Sequence, residues 1–181
     1  MQFEPTRIPD VVLIRPRIFQ DERGLFFECW HERLFAQAGI AASFVQQNQS
    51  RSVRHTLRGL HYQVVQPQGK LVRALTGAVF DVAVDLRRDS PTFGQWVGAM
   101  LSAENQHSLW VPPHFAHGLF ALSESADLLY NCTDFYSPQH ERVIRWDDAD
   151  LGIEWPIPAG IAPLVSDRDR GGRAFRDAEV F

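Results

Sequence analysis

The sequence predicts an all-β protein, a sandwich or barrel of short strands, and two observations carry that expectation. The dominant hydrophobic period is two rather than 3.6, and strand-length runs recur at close intervals with turn signals between them. The clearest run is Val79-Phe80-Asp81-Val82-Ala83-Val84-Asp85-Leu86. Phe80, Val82, Val84 and Leu86 share one face of it, while Asp81, Ala83 and Asp85 face either solvent or the lined interior of a barrel. Further strands are expected over residues 11–15, 25–29, 44–50, 59–63, 71–75, 96–101, 108–111, 118–122 and 127–133. Gln66-Pro67-Gln68-Gly69, Gly77, Asp89-Ser90-Pro91 and Pro112-Pro113 punctuate them, a rhythm foreign to alternating strand–helix units. One helix is expected over residues 31–38, closed by Gly39. The stretch after Trp155, rich in Pro, Gly and charge, is expected to wrap the surface.

With 181 residues, 45% of them hydrophobic, the chain can bury one good core, so residues 1–181 are expected to form a single domain. A net charge of −4, from 18 basic and 22 acidic residues without a lysine–arginine block, leaves no electrostatic footprint for nucleic acid or a membrane surface. Local arginine clusters still suit a small anionic ligand. The first dozen residues lack a basic start followed by an apolar core, and no apolar run approaches membrane-spanning length, so a cytoplasmic location is expected. Cys29 and Cys132 stand apart and are expected to be two reduced, buried thiols.

Chemistry concentrates in Leu57-Arg58-Gly59-Leu60-His61-Tyr62-Gln63, with Lys70 nine positions after His61. A base of near-neutral pKa can remove a proton beside a carbonyl, and a fixed cation stabilises the enolate that forms. A histidine in an apolar strand is more often a hydrogen-bonded structural residue, so the heptad alone leaves both readings open. A second stretch, Trp110-Val111-Pro112-Pro113-His114-Phe115-Ala116-His117-Gly118, brings His117 to the start of a strand that is expected beside the one carrying His61. Two such histidines suggest the metal site of cupin jelly rolls, which joins two histidines one residue apart and a carboxylate to a later histidine. Here Gln63 replaces the second histidine, no carboxylate lies between His61 and Lys70, and Lys70 repels a dication. The expectation is a barrel with no metal and no other cofactor.

Taken together, Asp21-Glu22-Arg23-Gly24-Leu25-Phe26-Phe27-Glu28, Gln46-Gln47-Asn48-Gln49-Ser50, the His61 heptad, Gly69-Lys70-Leu71-Val72, Ser90-Pro91-Thr92-Phe93-Gly94, Leu101-Ser102-Ala103-Glu104-Asn105, the His117 stretch, Tyr136-Ser137-Pro138 and Ser166-Asp167-Arg168-Asp169 resemble the dTDP-4-dehydrorhamnose 3,5-epimerases. Each motif is weak alone; their order and intervals are specific. The resemblance implies an all-β, cupin-type jelly roll or barrel with one or a few short peripheral helices. It also implies an isomerase that inverts carbons 3 and 5 of a dTDP-4-keto-6-deoxy sugar, and a homodimer with exchanged N-terminal strands.

Carried onto this sequence, the resemblance makes His61 the base, Asp169 its orienting carboxylate with Asp167 as rival, Lys70 the cation at the carbonyl oxygen, and Tyr130 the acid on the opposite face of the ring. Arg23, Gln47, Asn48, Ser50, Arg58 and Arg168 fall to the nucleotide and its phosphates, Phe19 and Phe26 to thymine stacking, His117 to the sugar, and Glu28 and Tyr136 to the ligand or the subunit border. His55 stands where many members have glycine. Three other readings stay open: inversion of one carbon only, a metal-dependent cupin, and a non-catalytic sugar-binding jelly roll.

Overall fold

The computed structural model describes residues 1–181. In chain order its first half contains β1 (Gln2–Pro5), β2 (Val12–Arg15), β3 (Phe19–Asp21), β4 (Gly24–Phe26), α1 (Glu32–Gln37), β5 (Gln46–Val53), β6 (Thr56–Gln63), β7 (Lys70–Thr76) and β8 (Ala78–Asp85). Then follow β9 (Trp96–Ser102), β10 (Ser108–Val111), β11 (Phe115–Ala121), β12 (Ser125–Cys132), β13 (Glu141–Val143), β14 (Leu164–Val165) and α2 (Asp167–Arg170).

Two antiparallel sheets face each other in the double-sheet plan of a jelly roll. One has the order β1-β2-β10-β7-β12-β5 and the other β13-β6-β11-β8-β9, with β14 added in parallel to β6. Val72, Ala74, Val79, Ala83, Leu109, Leu119 and Leu128 fill the space between them. The ambiguity at β8 is thereby resolved: Asp81 and Asp85 lie on the interior face, both at 0% exposure. The opposite face is no more exposed, because Val82, Val84 and Leu86 pack with Ile144, Leu151 and Ala178 and with Phe181 from the end of the chain. Each such aliphatic side chain contributes roughly 1.5–3 kcal/mol by leaving water. The tail wraps as expected: the Phe181 N–H donates to the Leu86 carbonyl at 3.1 Å, and the Arg88 N–H donates to the Phe181 carbonyl at 2.7 Å. Between Trp155 and β14, residues 158–162 are all exposed.

α1 covers the outer face of the first sheet, setting Phe35 against Val12, Ile14, Leu71 and Trp110. It is shorter than expected and stops at Ala38, before Gly39 at φ +84°. The strand expected over residues 25–29 ends at Phe26, which belongs to the separate hairpin β3–β4. Cys132 is buried, but Cys29 is exposed, contrary to the sequence reading, because the chain leaving that hairpin runs over the surface.

β5 and β6 are consecutive but belong to different sheets, and His55 makes the corner between them at φ +66°. Within the second sheet β6 approaches β11 closely at Gly59 and Gly118. A Cβ on Gly59 would sit 2.6 Å from the Gly118 Cα, and Gly59 has φ +127°, so glycine is required there. The pairing shifts at this point, and His61 is set directly opposite His117.

Candidate active site

Leu60 and Tyr62 of β6 pack into the outer core, so alternation turns His61 and Gln63 to the inner face. From the other sheet, Lys70 and Cys132 are paired residues of β7 and β12, and Tyr130 lies opposite Asn48 of β5. These inner faces enclose an open-mouthed cleft of about 330 Å³, lined by His61, His117 and Arg58 on one side and by Lys70, Tyr130, Asn48 and Ser50 on the other. Tyr136, Glu141 and Arg168 complete its rim.

Asp169 reaches His61 from α2. Ser166 caps that helix by accepting the Asp169 N–H at 3.1 Å, which fixes the turn and aims the carboxylate inward. Asp169 Oδ1 lies 2.7 Å from His61 Nε2, and its Oδ2 accepts the Gly59 N–H at 3.2 Å. Burial works against the ionised form of Asp169, yet the hydrogen bond from His61 leads the opposing causes and holds its pKa below the usual carboxylate value. A carboxylate only accepts, so Nε2 carries the hydrogen and Nδ1 keeps a free lone pair. Asp167, the rival, points away: its side chain is 98% exposed and pairs with Arg170.

Lys70 is 9% exposed and has no carboxylate within salt-bridge distance. Burial pulls its pKa down, opposed by the fields of Cys132, Glu141 and Asp81. Burial likewise pushes the Tyr130 phenol above its usual value. A second histidine–carboxylate pair lies deeper: His117 Nε2 is 2.8 Å from Asp81 Oδ1, while Asp81 Oδ2 has no partner. Arg168 lies 3.3 Å from His61 Nε2 and also bonds Glu141, which accepts the Tyr136 hydroxyl at 2.8 Å.

The structure thus gathers His61, Lys70, Tyr130, Asn48, Ser50, Arg58, His117, Tyr136 and Arg168 around one cleft, with Asp169 directly behind His61. Gln47 requires a correction. It lies on the opposite face of β5, where its Nε2 donates to Asn131 Oδ1 at 2.7 Å, and Gln46 takes the cleft position by strand parity. Phe19, Arg23, Phe26 and Glu28 do not line the cleft of this chain; the first three belong to the exposed β3–β4 region, with Phe26 70% exposed and Arg23 paired to Asp21, and Glu28 follows it. Three cleft residues with polar side chains were missed, Gln46, Gln68 and Glu141, besides Gly118 and Leu119. Parity with Asn48 and Ser50 could have found Gln46; a strand of three residues gave no signal for Glu141.

The cupin metal does not suit these side chains. Gln63 spends its amide on the carbonyls of Gln66 and Phe135 and on the Ser137 N–H, and each histidine Nε2 faces its own aspartate. No group of three His, Cys, Asp or Glu side chains converges to hold an ion, and the ammonium of Lys70 occupies the same floor.

A carboxylate-held imidazole beside a buried lysine is what an enzyme needs to ionise carbon next to a carbonyl, and the jelly roll that carries them places the chain among cupin-type isomerases. More narrowly, the chain belongs to the dTDP-4-dehydrorhamnose 3,5-epimerase family, whose sequence model matches residues 5–177. It is 60% identical to the dTDP-4-dehydrorhamnose 3,5-epimerase of Pseudomonas aeruginosa over 96% of each chain. Among solved structures it is similar to the dTDP-6-deoxy-D-glucose-3,5-epimerase of Legionella pneumophila in complex with dTDP-4-keto-L-rhamnose, with a TM-score of 0.94, 45% identity and coverage of 98% of this chain and 94% of that one. A 3'-monoepimerase from Streptomyces bikiniensis in complex with dTDP-quinovose is more distant, at TM-score 0.87 and 34% identity over 95% of this chain and 87% of that one.

Proposed function

We propose that the protein inverts carbons 3 and 5 of dTDP-4-keto-6-deoxyglucose, with His61 taking each proton beside the keto group and Tyr130 returning one from the opposite face of the ring. The single observation that carries this reading is the His61–Asp169 pair facing the same cleft as Lys70 and Tyr130. Asp169 fixes the tautomer that leaves Nδ1 basic and stabilises the imidazolium that forms. Lys70 brings a positive charge, little screened by water, to the oxygen on which enolate charge develops. The Tyr130 hydroxyl has no hydrogen-bond partner in the protein and remains protonated, because burial raises its pKa, so it is available as a donor. Arg58 and Arg168 suit the diphosphate. Names of the relatives support the substrate class, and identities of 60% and 45% to 3,5-epimerases against 34% to the monoepimerase favour two inversions over one.

We further propose a homodimer in which the β3–β4 hairpin of one copy closes the cleft of the other. Phe19, Leu25 and Phe26 are 50–70% exposed in the single chain, and Arg23, assigned to the nucleotide by family resemblance, does not line the chain's own cleft. The two free cysteines fit a reducing, cytoplasmic setting.

Turnover of dTDP-4-keto-6-deoxyglucose in deuterated water, read by mass and NMR, tests the reaction. Solvent label is expected at carbons 3 and 5; label at carbon 3 alone would reduce the activity to a single inversion, and label at neither would remove it.

A further inference from the structure

Residues 134–137 bring Tyr136 to the rim of the cleft, yet Asp134, Phe135 and Tyr136 take part in no backbone–backbone hydrogen bond. Side-chain amides stand in for the missing ladder. Gln68 Nε2 donates to the Asp134 carbonyl at 2.8 Å, and Gln63 Nε2 donates to the Phe135 carbonyl at 3.2 Å. Gln46 Oε1 accepts the Tyr136 N–H at 2.9 Å, and Gln63 Oε1 accepts the Ser137 N–H at 2.8 Å. Gln46 belongs to β5 and Gln63 to β6, so the segment is tied to both sheets at once.

Gln63 is the centre of this arrangement. It is 4% exposed, and its other Nε2 hydrogen goes to the Gln66 carbonyl at 2.8 Å, which leaves no donor idle. The segment it holds is otherwise open to solvent, with Phe135 58% and Tyr136 46% exposed. Without the amide, the carbonyls of Gln66 and Phe135 and the Ser137 N–H would lose their partners together, and only the Gln68 and Gln46 amides and the bond from the His140 N–H to the Ser137 carbonyl would still hold the segment's backbone.

We propose that Gln63 is a positioning residue for the cleft rim. It fixes residues 134–137 as a rigid strap, and so sets the Tyr136 ring and, through the Tyr136–Glu141–Arg168 chain of contacts, the guanidinium beside His61. The position at which a metal-binding cupin would place a ligand is used here to hold a ligand-facing aromatic ring. The inference rests on the epimerase reading only for the identity of the molecule that Tyr136 meets.

Two variants test it. Gln63→Glu keeps size and an acceptor for Ser137 but turns a carboxylate oxygen toward the Phe135 and Gln66 carbonyls; Gln63→Met keeps volume and removes all three bonds. In either, the Ser137 amide is expected to exchange with deuterated water about tenfold faster or more, while amides of β7 keep their parent rates. KM for dTDP-4-keto-6-deoxyglucose should rise about tenfold with a smaller fall in kcat, and combination with Tyr136→Ala should be no worse than Tyr136→Ala alone. Unchanged Ser137 exchange, or KM penalties that add in full, would overturn the role. Should Gln63→Glu not fold, Gln63→Met carries both measurements. If the parent protein turns over no keto sugar, the epimerase reading fails, and amide exchange still judges Gln63.

Discussion

Asp169 and His61 are separated by 108 positions in sequence and joined by a 2.7 Å hydrogen bond. The bond assigns the hydrogen to Nε2 and leaves Nδ1 to accept, so an amide in place of the carboxylate can present its NH₂ and reverse the tautomer. Asp169→Asn should lower kcat by on the order of a thousandfold, with nucleotide binding retained. Asp167→Asn, at a side chain 98% exposed, should leave kcat within about threefold. Steady-state kinetics and dTDP titration of both variants check this, and a reversed ranking would move the orienting role to Asp167. Because the Asp169 pKa is depressed in the fold, its contribution to stability is present above the unfolded value of about 3.9 and is lost as pH falls through the lower folded value.

Lys70 sets a limit on the alkaline side. Its cation is needed for the enolate, and burial brings its pKa down, so kcat should fall as pH rises through a value below that of a free lysine. Tyr130 is shifted upward and stays protonated across that range. Lys70→Arg should remove this alkaline limb even if the rate is lower throughout, and Lys70→Ala should cost kcat about a hundredfold or more while changing KM little. A limb that persists in Lys70→Arg would assign it to another group.

Tyr130→Phe separates proton removal from inversion. The imidazole can still take a proton and return it to the same face, so deuterium should continue to enter the ring while epimerised product is suppressed. Stability should hardly change, since the hydroxyl makes no hydrogen bond within the protein and its deletion breaks none. NMR of the recovered sugar measures exchange and inversion together; full inversion at the parent rate would require another acid, with Tyr136 the next candidate.

Metal removal should leave turnover intact. Gln63, His61 and His117 are each committed to hydrogen bonds that a ligand set would have to break. Activity that disappears with EDTA and returns with a stoichiometric divalent ion would contradict enolate stabilisation by Lys70.

Much of this was legible in the sequence wherever apolar alternation fixed register. β8 and the neighbouring strands of His61 and His117 followed from period two and from a proline turn, whereas the burial of Asp81 and Asp85 did not, because alternation separates two faces without saying which of them meets water. Gln46-Gln47-Asn48-Gln49-Ser50 carries no apolar residue to say which parity faces inward, so nothing in the residues themselves could correct the family resemblance at Gln47, whose side chain lies on the face away from the cleft. β1, β3, β13 and β14 are two to four residues long, too short to show a period, and their pairing is decided by neighbours distant in sequence. The Asp169 contact was legible only through family resemblance, because helix capping by Ser166, rather than any spacing, turns that carboxylate inward.

The exposed run at residues 158–162 separates the two carboxylate–histidine pairs in a practical sense. His117 and Asp81 lie in adjacent strands of the second sheet, upstream of it, whereas Asp169 lies downstream on a four-residue helix. A protease that nicks this run would cut the covalent link to Asp169 and leave the downstream piece held only by non-covalent contacts: the Leu164 N–H on the His55 carbonyl, the Arg173 N–H on the Val143 carbonyl, and Ala178 and Phe181 in the outer core. In the nicked protein catalysis should therefore be lost at a lower denaturant concentration than strand content, measured by circular dichroism, so that spectroscopic integrity of a preparation is no guarantee of a working base.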